Sequence, residues 1–570
     1  MRSLCSTLLA LGVLWACAEG PPPKAPEARA PERAPATADK VISVVGTNDL
    51  HGHVEHLDAF AGYVARLREL RRADGGVLLV DAGDMFQGTL ESNLGEGAAV
   101  IAAFNALGYS AAALGNHEFD FGPTGSAEPG AGADPQGALR ARLTEARFPV
   151  LAANLIDTRT GRIPEWQNLH ASVLLEVAGV KLGLVGVLTD ETPRIVMPAY
   201  FNGLDVGPLA VAITREAADL RARGARAVVV LAHAGGVCQR FDDPRSETAC
   251  EADQELNRVA RELPTGSVDA IIGGHSHAGV AHFFSGIAVA EAYAYGRAFS
   301  RIDLRVPGDA KRSVTGQLFP PRQVCTDREA PVCVPGTYEG VATRKDPRIA
   351  ASVAGWREAA ATQRAERLGV QVKRAVRQDY AAESPLGNLY ADLLLAAAPG
   401  SDVAIVNGGG LRAPLPAGDL TYGQLYESQP FDNLVTRLEL TGAELGRVIA
   451  LHLERERHGI ISIAGARVGA RCYGGRLVVS LKRESGKPIG DAERVTIVTS
   501  DYLATGGDEL FAGPGRPAPR AETATQTVRD ALAGELRRRG GSLDGEDSKL
   551  LDPKQPRLSL PAPRPIRCPN

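Results

Sequence analysis

The sequence predicts two α/β domains in succession: an N-terminal layered α/β domain and a second, C-terminal α/β domain. Three observations carry this. From Val41 to about Leu304, short β runs alternate with helical stretches, the pattern of a layered α/β fold. An Ala/Arg/Glu-rich helical stretch, Arg344 to Leu368, then reads as a connector, and a second alternation follows it. Five Gly-flanked polar motifs stand where strands of the first domain end, which in open α/β sheets is where ligands bind.

The elements follow in order. Residues 41–47, 77–81, 111–114, 150–153, 180–188, 227–232 and 268–272 are rich in Val, Ile, Leu and Ala and read as strands. Residues 58–72, 98–107, 209–223 and 251–262 read as the helices between them. After the connector, 386–398 and 443–456 read as helices and 403–406, 435–440 and 495–500 as strands. Residues 523–539 read as a final helix, and the Pro-rich tail from Leu551 as irregular.

Composition limits the function classes. Among 570 residues, 44% are apolar and 23% charged, so the chain is globular in character. Lys plus Arg is 63 against 67 for Asp plus Glu, a net charge of -4, which argues against a nucleic-acid polymer as partner. A mean hydropathy of -0.09, with no apolar run of ~18 residues after the first twenty, excludes a polytopic membrane protein.

The first residues read as an export signal. Residues 4–18 are apolar but too short to span a bilayer comfortably. Leu14-Trp15-Ala16-Cys17 resembles a bacterial lipoprotein box, which would leave Cys17 as an acylated N-terminus. Ala16-Cys17-Ala18 also fits a small-x-small cleavage site that would release a soluble protein. The six prolines between Gly20 and Asp39 make a semi-rigid spacer and favour the anchored form, at the outer membrane because Ala18 does not resemble an inner-membrane retention signal. Beyond the signal, six cysteines remain, an even number in an exported chain. Local spacing pairs Cys238 with Cys250 and Cys325 with Cys333, leaving Cys472 for Cys568.

The five motifs are Asn48-Asp49-Leu50-His51-Gly52, Asp81-Ala82-Gly83-Asp84, Gly115-Asn116-His117-Glu118-Phe119-Asp120, Ala232-His233-Ala234-Gly235 and Gly273-Gly274-His275-Ser276-His277. Five of the eleven histidines lie in them, whereas His53, His56, His170, His282, His452 and His458 lack such context and read as solvated or structural. Imidazole and carboxylate together suit Zn, Mn or Fe better than Ca. The donors exceed the three or four that one ion needs; two ions sharing a carboxylate use them all, and such pairs clamp both oxygens of an in-line displacement. The chemistry expected is hydrolysis of a phosphate ester.

These motifs resemble, in their order, those of the calcineurin-like metallophosphoesterases. With the second domain, the chain resembles the bacterial and animal 5'-nucleotidase family, which includes periplasmic UDP-sugar hydrolases, over about residues 41 to 540. The resemblance implies two divalent metal ions (Zn, Mn or similar), one on Asp49, His51 and His277, the other on Asn116, His233 and His275, with Asp84 bridging and Asp81 supporting from behind. It implies a catalytic pair in which His117 stabilises charge on the phosphoryl oxygens and Asp120 orients it, with a water activated by the ions as nucleophile.

It also implies that the second domain selects the substrate. Asn407-Gly408-Gly409-Gly410-Leu411-Arg412 would bring Arg412 to an anion. Phe431 and Asn433 of Pro430-Phe431-Asp432-Asn433, with Tyr502 and Asp508 of the segment Asp501 to Asp508, match substrate-binding positions: the aromatics would sandwich a nucleobase and Asp508 would contact ribose. Just before Ser384-Pro385-Leu386-Gly387-Asn388 the family often carries a phosphate-facing arginine; here residues 378–383 contain none, and Arg374 and Arg377 do not align. That departure bears on the preferred substrate and leaves the metal chemistry untouched.

The expected organisation is a signal at 1–18, a Pro-rich linker at 19–39, a metallophosphoesterase domain at 40–343, a helical connector at 344–368, a 5'-nucleotidase C-terminal domain at 369–550 and a tail at 551–570. The expected activity is 5'-nucleotidase-like hydrolysis of a small nucleotide in the periplasm or cell envelope, with membrane contact only through the N-terminal anchor. UDP-sugar hydrolysis and 2',3'-cyclic nucleotide phosphodiesterase/3'-nucleotidase activity are the sister alternatives. Complete donor motifs speak against a non-catalytic nucleotide-binding lipoprotein, and the aromatics against a thiosulfate-ester hydrolase. The sequence sets no oligomeric state.

Overall fold

Two sheets face each other in the N-terminal half of the chain. In this computed structural model, which describes residues 38–125, 133–327, 332–455 and 458–569, the first sheet has seven strands in the order Thr315–Gln323, Ala298–Val306, Lys40–Thr47, Gly75–Asp81, Ala111–Ala113, Val150–Leu151 and Leu169–His170. The second has six, in the order Gly279–Phe284, Ile287–Ala292, Ala270–Gly273, Ala227–His233, Val180–Leu188 and Ser172–Val177. Successive strand residues point to opposite faces, and the buried residues divide accordingly. Ile42, Val44, Leu78 and Val80 pack against Leu184, Val229, Leu231 and Ile272 between the sheets. Val45 and Leu79 instead face the outer core that contains Phe60, Val64 and Leu67 of the helix Leu57–Leu70. That helix turns Leu57, Phe60, Val64 and Leu67 inward at three- and four-residue spacing, and Leu209–Ala222 does the same with Leu209, Ile213, Ala217 and Leu220 on the second sheet. The layers are therefore helix, sheet, sheet, helix.

This arrangement positions the motifs. Lys40–Thr47 runs parallel to Gly75–Asp81, and Gly75–Asp81 to Ala111–Ala113, so the first three motifs leave the same edge. Ala227–His233 runs parallel to Ala270–Gly273, which brings the fourth and fifth motifs together on the other sheet.

The C-terminal half has a five-stranded sheet in the order Ile461–Ala464, Val403–Asn407, Arg494–Ser500, Leu434–Thr441 and Ala521–Thr527. Leu386, Leu389 and Leu393 of the helix Pro385–Ala397 cover one face with Leu532 of Val528–Arg539; Leu445, Ile449 and Leu453 of Gly442–Glu454 belong to the core on the other.

Several elements differ from the sequence expectation. The final helix starts at Val528, not at 523: residues 521–527 carry β-branched threonines at alternate positions and pair with Leu434–Thr441, and the Thr527 hydroxyl then accepts Asp530 N–H to cap the helix. Gly279–Phe284 and Ile287–Ala292 form an unanticipated hairpin through Ser285 (φ 50°) and Gly286 (φ 81°), both in the left-handed region that two-residue hairpin turns require. The connector divides into helices Pro347–Ser352 and Ala354–Ala365, and Arg367 already begins a strand. The tail is not wholly irregular: Leu558–Ser559 pairs with Ala466–Tyr473. All three expected disulfides, Cys238–Cys250, Cys325–Cys333 and Cys472–Cys568, are formed.

The expected signal segment, with Cys5 and Cys17, and residues 19–37 of the expected spacer lie outside the described residues. No helix among the described residues is long and apolar enough to cross a membrane.

Candidate functional site

The loops after Lys40–Thr47 and Gly75–Asp81 are zipped together by their backbones. Asp49, His51 and Gly52 N–H donate to the carbonyls of Gly83, Asp84 and Met85, each at 2.9 Å. The chain departs sharply from ordinary geometry here: Asp49 (φ 50°), His51 (φ 49°), Asp84 (φ 58°), His275 (φ 82°) and His277 (φ 58°) are all left-handed non-glycine residues. Such strain persists only where surrounding structure over-determines it, and it concentrates at functional sites. Gly115 is required for the same reason of space, because a Cβ there would lie 2.2 Å from Asp84 Oδ1.

Three overlapping donor clusters result: Asp49, His51 and His277; His51, Asp84 and His117; and Asp84, His233 and His275. Asp84 divides its oxygens. Oδ1 accepts His117 N–H at 2.9 Å, while Oδ2 lies 3.1 Å from His233 Nε2 and 3.8 Å from His51 Nε2. Asn116 Oδ1 is also 3.1 Å from His233 Nε2, and His277 Nε2 is 3.5 Å from Asp49 Oδ1. Asp49 itself is held by two bonds from His275 N–H and one from Asn48 Nδ2.

The donor set fits divalent cations. His51 Nδ1–H donates to the Gln87 carbonyl at 2.8 Å and His233 Nδ1–H to the Ala82 carbonyl at 2.9 Å, which fixes both tautomers. Each Nε2 then turns a lone pair inward, His51 toward the imidazole nitrogen of His277 at 3.0 Å and His233 toward two oxygens. Lone pairs gathered this way are satisfied by a shared cation, and backbone acceptors behind ligating imidazoles are the usual support for one. Burial, with Arg412 and His277 nearby, holds His51 well below the ordinary imidazole pKa and keeps its lone pair available. Burial works against charge on His233, but the Asp84 carboxylate outweighs it and pushes the pKa up to about 10; a proton serves there the role a metal cation would.

His117 and Asp120 pair at 2.5 Å through Nδ1 and Oδ2. Burial opposes a charged imidazole, and Asp120 and Asp84 together outweigh it, so the His117 pKa is raised. Behind the site, Glu118 accepts from Asp84, Met85, Phe86 and Gly115 N–H and ties the second motif to the third. Glu291 does the same for the other sheet, accepting from Gly236 N–H and the Ser276 hydroxyl. Asp81 accepts from Thr47 Oγ1 and Gly83 N–H, a supporting position. Sequence reasoning assigned nothing to Glu118, Asn48 or Glu291; the first two sit inside the quoted motifs, so motif membership was their only signal.

From the second domain, Arg412 Nη2 comes to 3.2 Å from His51 Nε2, and the half-buried Phe431 ring lies 5.8 Å from the His117 ring. Asn407, Tyr502 and Asp508 form a group of their own: Asn407 Nδ2 donates to Asp508 Oδ2 at 2.9 Å and the Tyr502 hydroxyl to Asp508 Oδ1 at 2.7 Å. His458, read from sequence as solvated or structural, turns a side chain only 5% exposed toward that group, with Nδ1 3.5 Å from Asp508 Oδ1. The expected slot between two open aromatic faces is not what is observed. Tyr502 is 9% exposed within the apolar core, and Gly507 packs so closely on its ring that a Cβ would lie 2.3 Å away. Among the described residues, no ring contact joins Tyr502 to Phe431. Asn433 is half-buried, and its carbonyl accepts the Val528 N–H that opens the last long helix.

Comparison with known proteins agrees with this geometry. The calcineurin-like phosphoesterase family matches residues 42–279, and the 5'-nucleotidase C-terminal domain matches residues 359–513. Protein UshA of Yersinia enterocolitica is 26% identical over 507 residues, covering 82% of this chain and 86% of that protein. A 5'-nucleotidase of Diplobatis ommata is 27% identical over 538 residues, 82% of each chain. The crystal structure of a 5'-nucleotidase precursor from Thermus thermophilus shares the fold with a TM-score of 0.69 at 24% identity, over 91% of this chain and 99% of that one. Both domains occur here in one chain and in that order, so the protein belongs to the 5'-nucleotidase family of two-domain metallophosphoesterases and is a metal-dependent phosphoester hydrolase.

Proposed function

We propose that this chain is an exported enzyme that hydrolyses the phosphate ester of small nucleotides at a pair of divalent metal ions. Asp49, His51 and His277 would hold one ion and Asn116, His233 and His275 the other, with Asp84 shared by both. Ions held there supply Lewis-acid charge at phosphorus and lower the pKa of water. Asp120 accepts a hydrogen bond from His117 Nδ1–H, which keeps the ring oriented and leaves Nε2–H to donate to a phosphoryl oxygen as its charge grows in the transition state. Phe431 offers the nucleobase an aromatic face, and Asp508, set by Asn407 and Tyr502, offers ribose hydroxyls an acceptor.

The observation that carries this reading is Arg412. A second-domain guanidinium stands 3.2 Å from a first-domain imidazole of the donor cluster, so an anion held by the cluster is also within reach of the domain that matches the 5'-nucleotidase C-terminal model. The relatives named for UshA and 5'-nucleotidase support a nucleotide as substrate. A second reading, a nucleotide diester such as a UDP-sugar or a 2',3'-cyclic nucleotide, is favoured by the stretch 378–383: it contains no arginine, and a diester phosphorus carries less charge than a terminal phosphate. The six cysteines outside the signal, all paired, favour an oxidising compartment and so export.

The deciding experiment offers AMP, UDP-glucose, 2',3'-cyclic AMP and a thiosulfate carrier to the purified protein with Mn or Zn. Phosphate release from AMP that EDTA abolishes and added metal restores supports the first reading; turnover of the diesters alone supports the second. Turnover of the thiosulfate carrier alone would overturn both. Fractionating cells that express the wild type and Cys17→Ser tests the anchor: the variant moves from membrane to soluble fraction if Cys17 is acylated.

A further inference from the structure

The loop that carries Phe431 is held by a buried cation. Arg529, in the second residue of the helix Val528–Arg539, is 5% exposed. Its guanidinium spreads its donors over one short segment: Nη1 donates to the Phe431 carbonyl at 3.1 Å and lies 3.5 Å from the Gln429 carbonyl, and Nη2 donates to Asp432 Oδ1 at 2.5 Å. Nε donates to the Tyr422 hydroxyl at 3.2 Å, and the guanidinium carbon stacks 4.0 Å from the Tyr426 ring centroid. A planar fork engaged on both sides of one peptide, and stacked on an aromatic face, fixes orientation in a way that lysine cannot reproduce.

The same segment is gripped from the first domain. Asn93 Nδ2 donates to the Pro430 carbonyl at 3.2 Å, while Asn93 Oδ1 accepts Gly88 N–H at 3.0 Å. Gly88 follows Gln87, whose carbonyl orients His51. The peptide before Phe431 is thus tied to the backbone that shapes the metal-donor loop, and the peptide after it to Arg529.

We propose that Arg529 and Asn93 are positioning residues for substrate selection: they clamp the backbone on the two sides of Phe431, and so fix where its ring stands relative to His117, without touching substrate themselves. The proposal rests on the nucleotide-binding role given to Phe431 above. Burying a guanidinium is costly unless its donors are used, and here, apart from the Tyr422 hydroxyl, their partners are the Gln429 and Phe431 carbonyls and the Asp432 carboxylate of one loop segment, which favours loop placement over simple cohesion of the core.

The test compares steady-state kinetics on AMP and on p-nitrophenyl phosphate for Arg529→Gln, Arg529→Lys, Asp432→Asn, Asn93→Asp and, in parallel, Phe431→Ala. Asp432 is 62% exposed in its side chain, so Asp432→Asn reduces one anchor of the fork to an uncharged acceptor without disturbing the core. Asn93→Asp keeps the acceptor for Gly88 and removes the donor to Pro430. We expect a KM for AMP raised roughly fivefold or more in Arg529→Gln and by a smaller factor in Asp432→Asn and Asn93→Asp, with kcat and the p-nitrophenyl phosphate constants near wild type. Arg529→Lys should restore only part of the effect. Equal losses on both substrates, accompanied by a lower melting temperature, would reduce Arg529 to a structural role and overturn the proposal. So would an unchanged KM in both Arg529→Gln and Asp432→Asn while Phe431→Ala raises it. If Phe431→Ala itself leaves the KM for AMP unchanged, the nucleotide-binding role of Phe431 is what fails, and the positioning role falls with it.

Discussion

Arg412 Nη2 meets His51 Nε2 at 3.2 Å although 361 residues separate them. One end of that contact belongs to the strand-end loop of the first domain, the other to the Gly-rich loop that follows Val403–Asn407 in the second. Its backbone is fixed as well: Arg412 N–H donates to the Ser428 carbonyl at 2.9 Å. A guanidinium carries only donors, so under the proposed function Arg412 binds phosphate and no metal. Arg412→Ala should therefore retain full metal content by elemental analysis while the KM for nucleotide rises roughly tenfold, the scale of one charge-assisted hydrogen bond. Arg412→Lys should recover part of this. Metal loss in Arg412→Ala would show that the residue supports the donor cluster instead.

Asp84 and His117 should separate metal binding from catalysis. Asp84 belongs to donor clusters on both sides of the site, so Asp84→Ala should lose metal from both. His117→Ala should keep metal and lose turnover by about 10²–10⁴, the usual weight of a positioned proton donor. Metal analysis of the two purified variants beside their rates checks both statements, and full occupancy in Asp84→Ala would end the bridging assignment.

Much of this was legible in the sequence, for a physical reason. Strands such as Lys40–Thr47 and Ala227–His233 are apolar runs closed by glycine and polar residues, and the motif histidines lie at those closures. The hairpin of Gly279–Phe284 and Ile287–Ala292 escaped because it is buried nearly throughout, which erases period-two alternation, and because Ser285-Gly286 is a weak turn signal. Glu118 and Arg529 escaped for another reason. Glu118 takes backbone N–H groups more than thirty residues away, and Arg529 gives to carbonyls about a hundred residues away; backbone partners leave no mark on a sequence. The burial of Tyr502 could not be read either, since its covering residue is a glycine whose closeness depends on the folded loop.

Cys238–Cys250 closes a loop that begins five residues after the buried His233, with a sequence separation of 12. Closing a loop of that size contributes about 3 kcal/mol in the chain-entropy model. Replacing both cysteines by serine should lower stability by about 2–3 kcal/mol and speed loss of metal to a chelator, because His233 then sits beside a freed segment. Calorimetry of the oxidised protein and a timed EDTA challenge check this; an unchanged chelation rate would show that Gly83 and Ala82, packed against the His233 ring, hold it unaided.

Asp501 gives a pH dependence away from the donor cluster. Burial pushes its pKa up to about 6, against the opposing N–H donors of Leu434 and Tyr502. The folded state then binds the proton more tightly than the unfolded state, whose value is about 3.9. Stability should fall as pH rises from about 4 to about 6, then level off with the charged form at a disadvantage. Asp501→Asn keeps the accepting oxygen and removes the charge. It should flatten that slope and raise stability near pH 7 by about 3 kcal/mol. Urea melts at several pH values would show it, and a variant that is less stable at pH 7 would contradict it.

Phe431 presents a half-buried ring beside His117, whereas Tyr502 is covered by Gly507 and donates its hydroxyl to Asp508. The two aromatics should therefore fail differently. Removing the Phe431 ring takes away stacking, which is worth about 1–3 kcal/mol per base and tolerates base identity because every base has a π-face. Phe431→Ala should lower the ratio of kcat/KM for AMP to that for p-nitrophenyl phosphate, by a similar factor for UMP. Tyr502→Phe keeps the packed ring and deletes only the hydroxyl on Asp508 Oδ1. Its effect should depend on sugar and not on base: a weaker preference for ribonucleotides over 2',3'-dideoxynucleotides, of the size of one hydrogen bond, about 1 kcal/mol. Asp508→Asn should resemble it, and combining Tyr502→Phe with Asp508→Asn should add little, since both act on one carboxylate. A loss in Tyr502→Phe that is equal for ribonucleotides and 2',3'-dideoxynucleotides would show that the hydroxyl does not act through ribose.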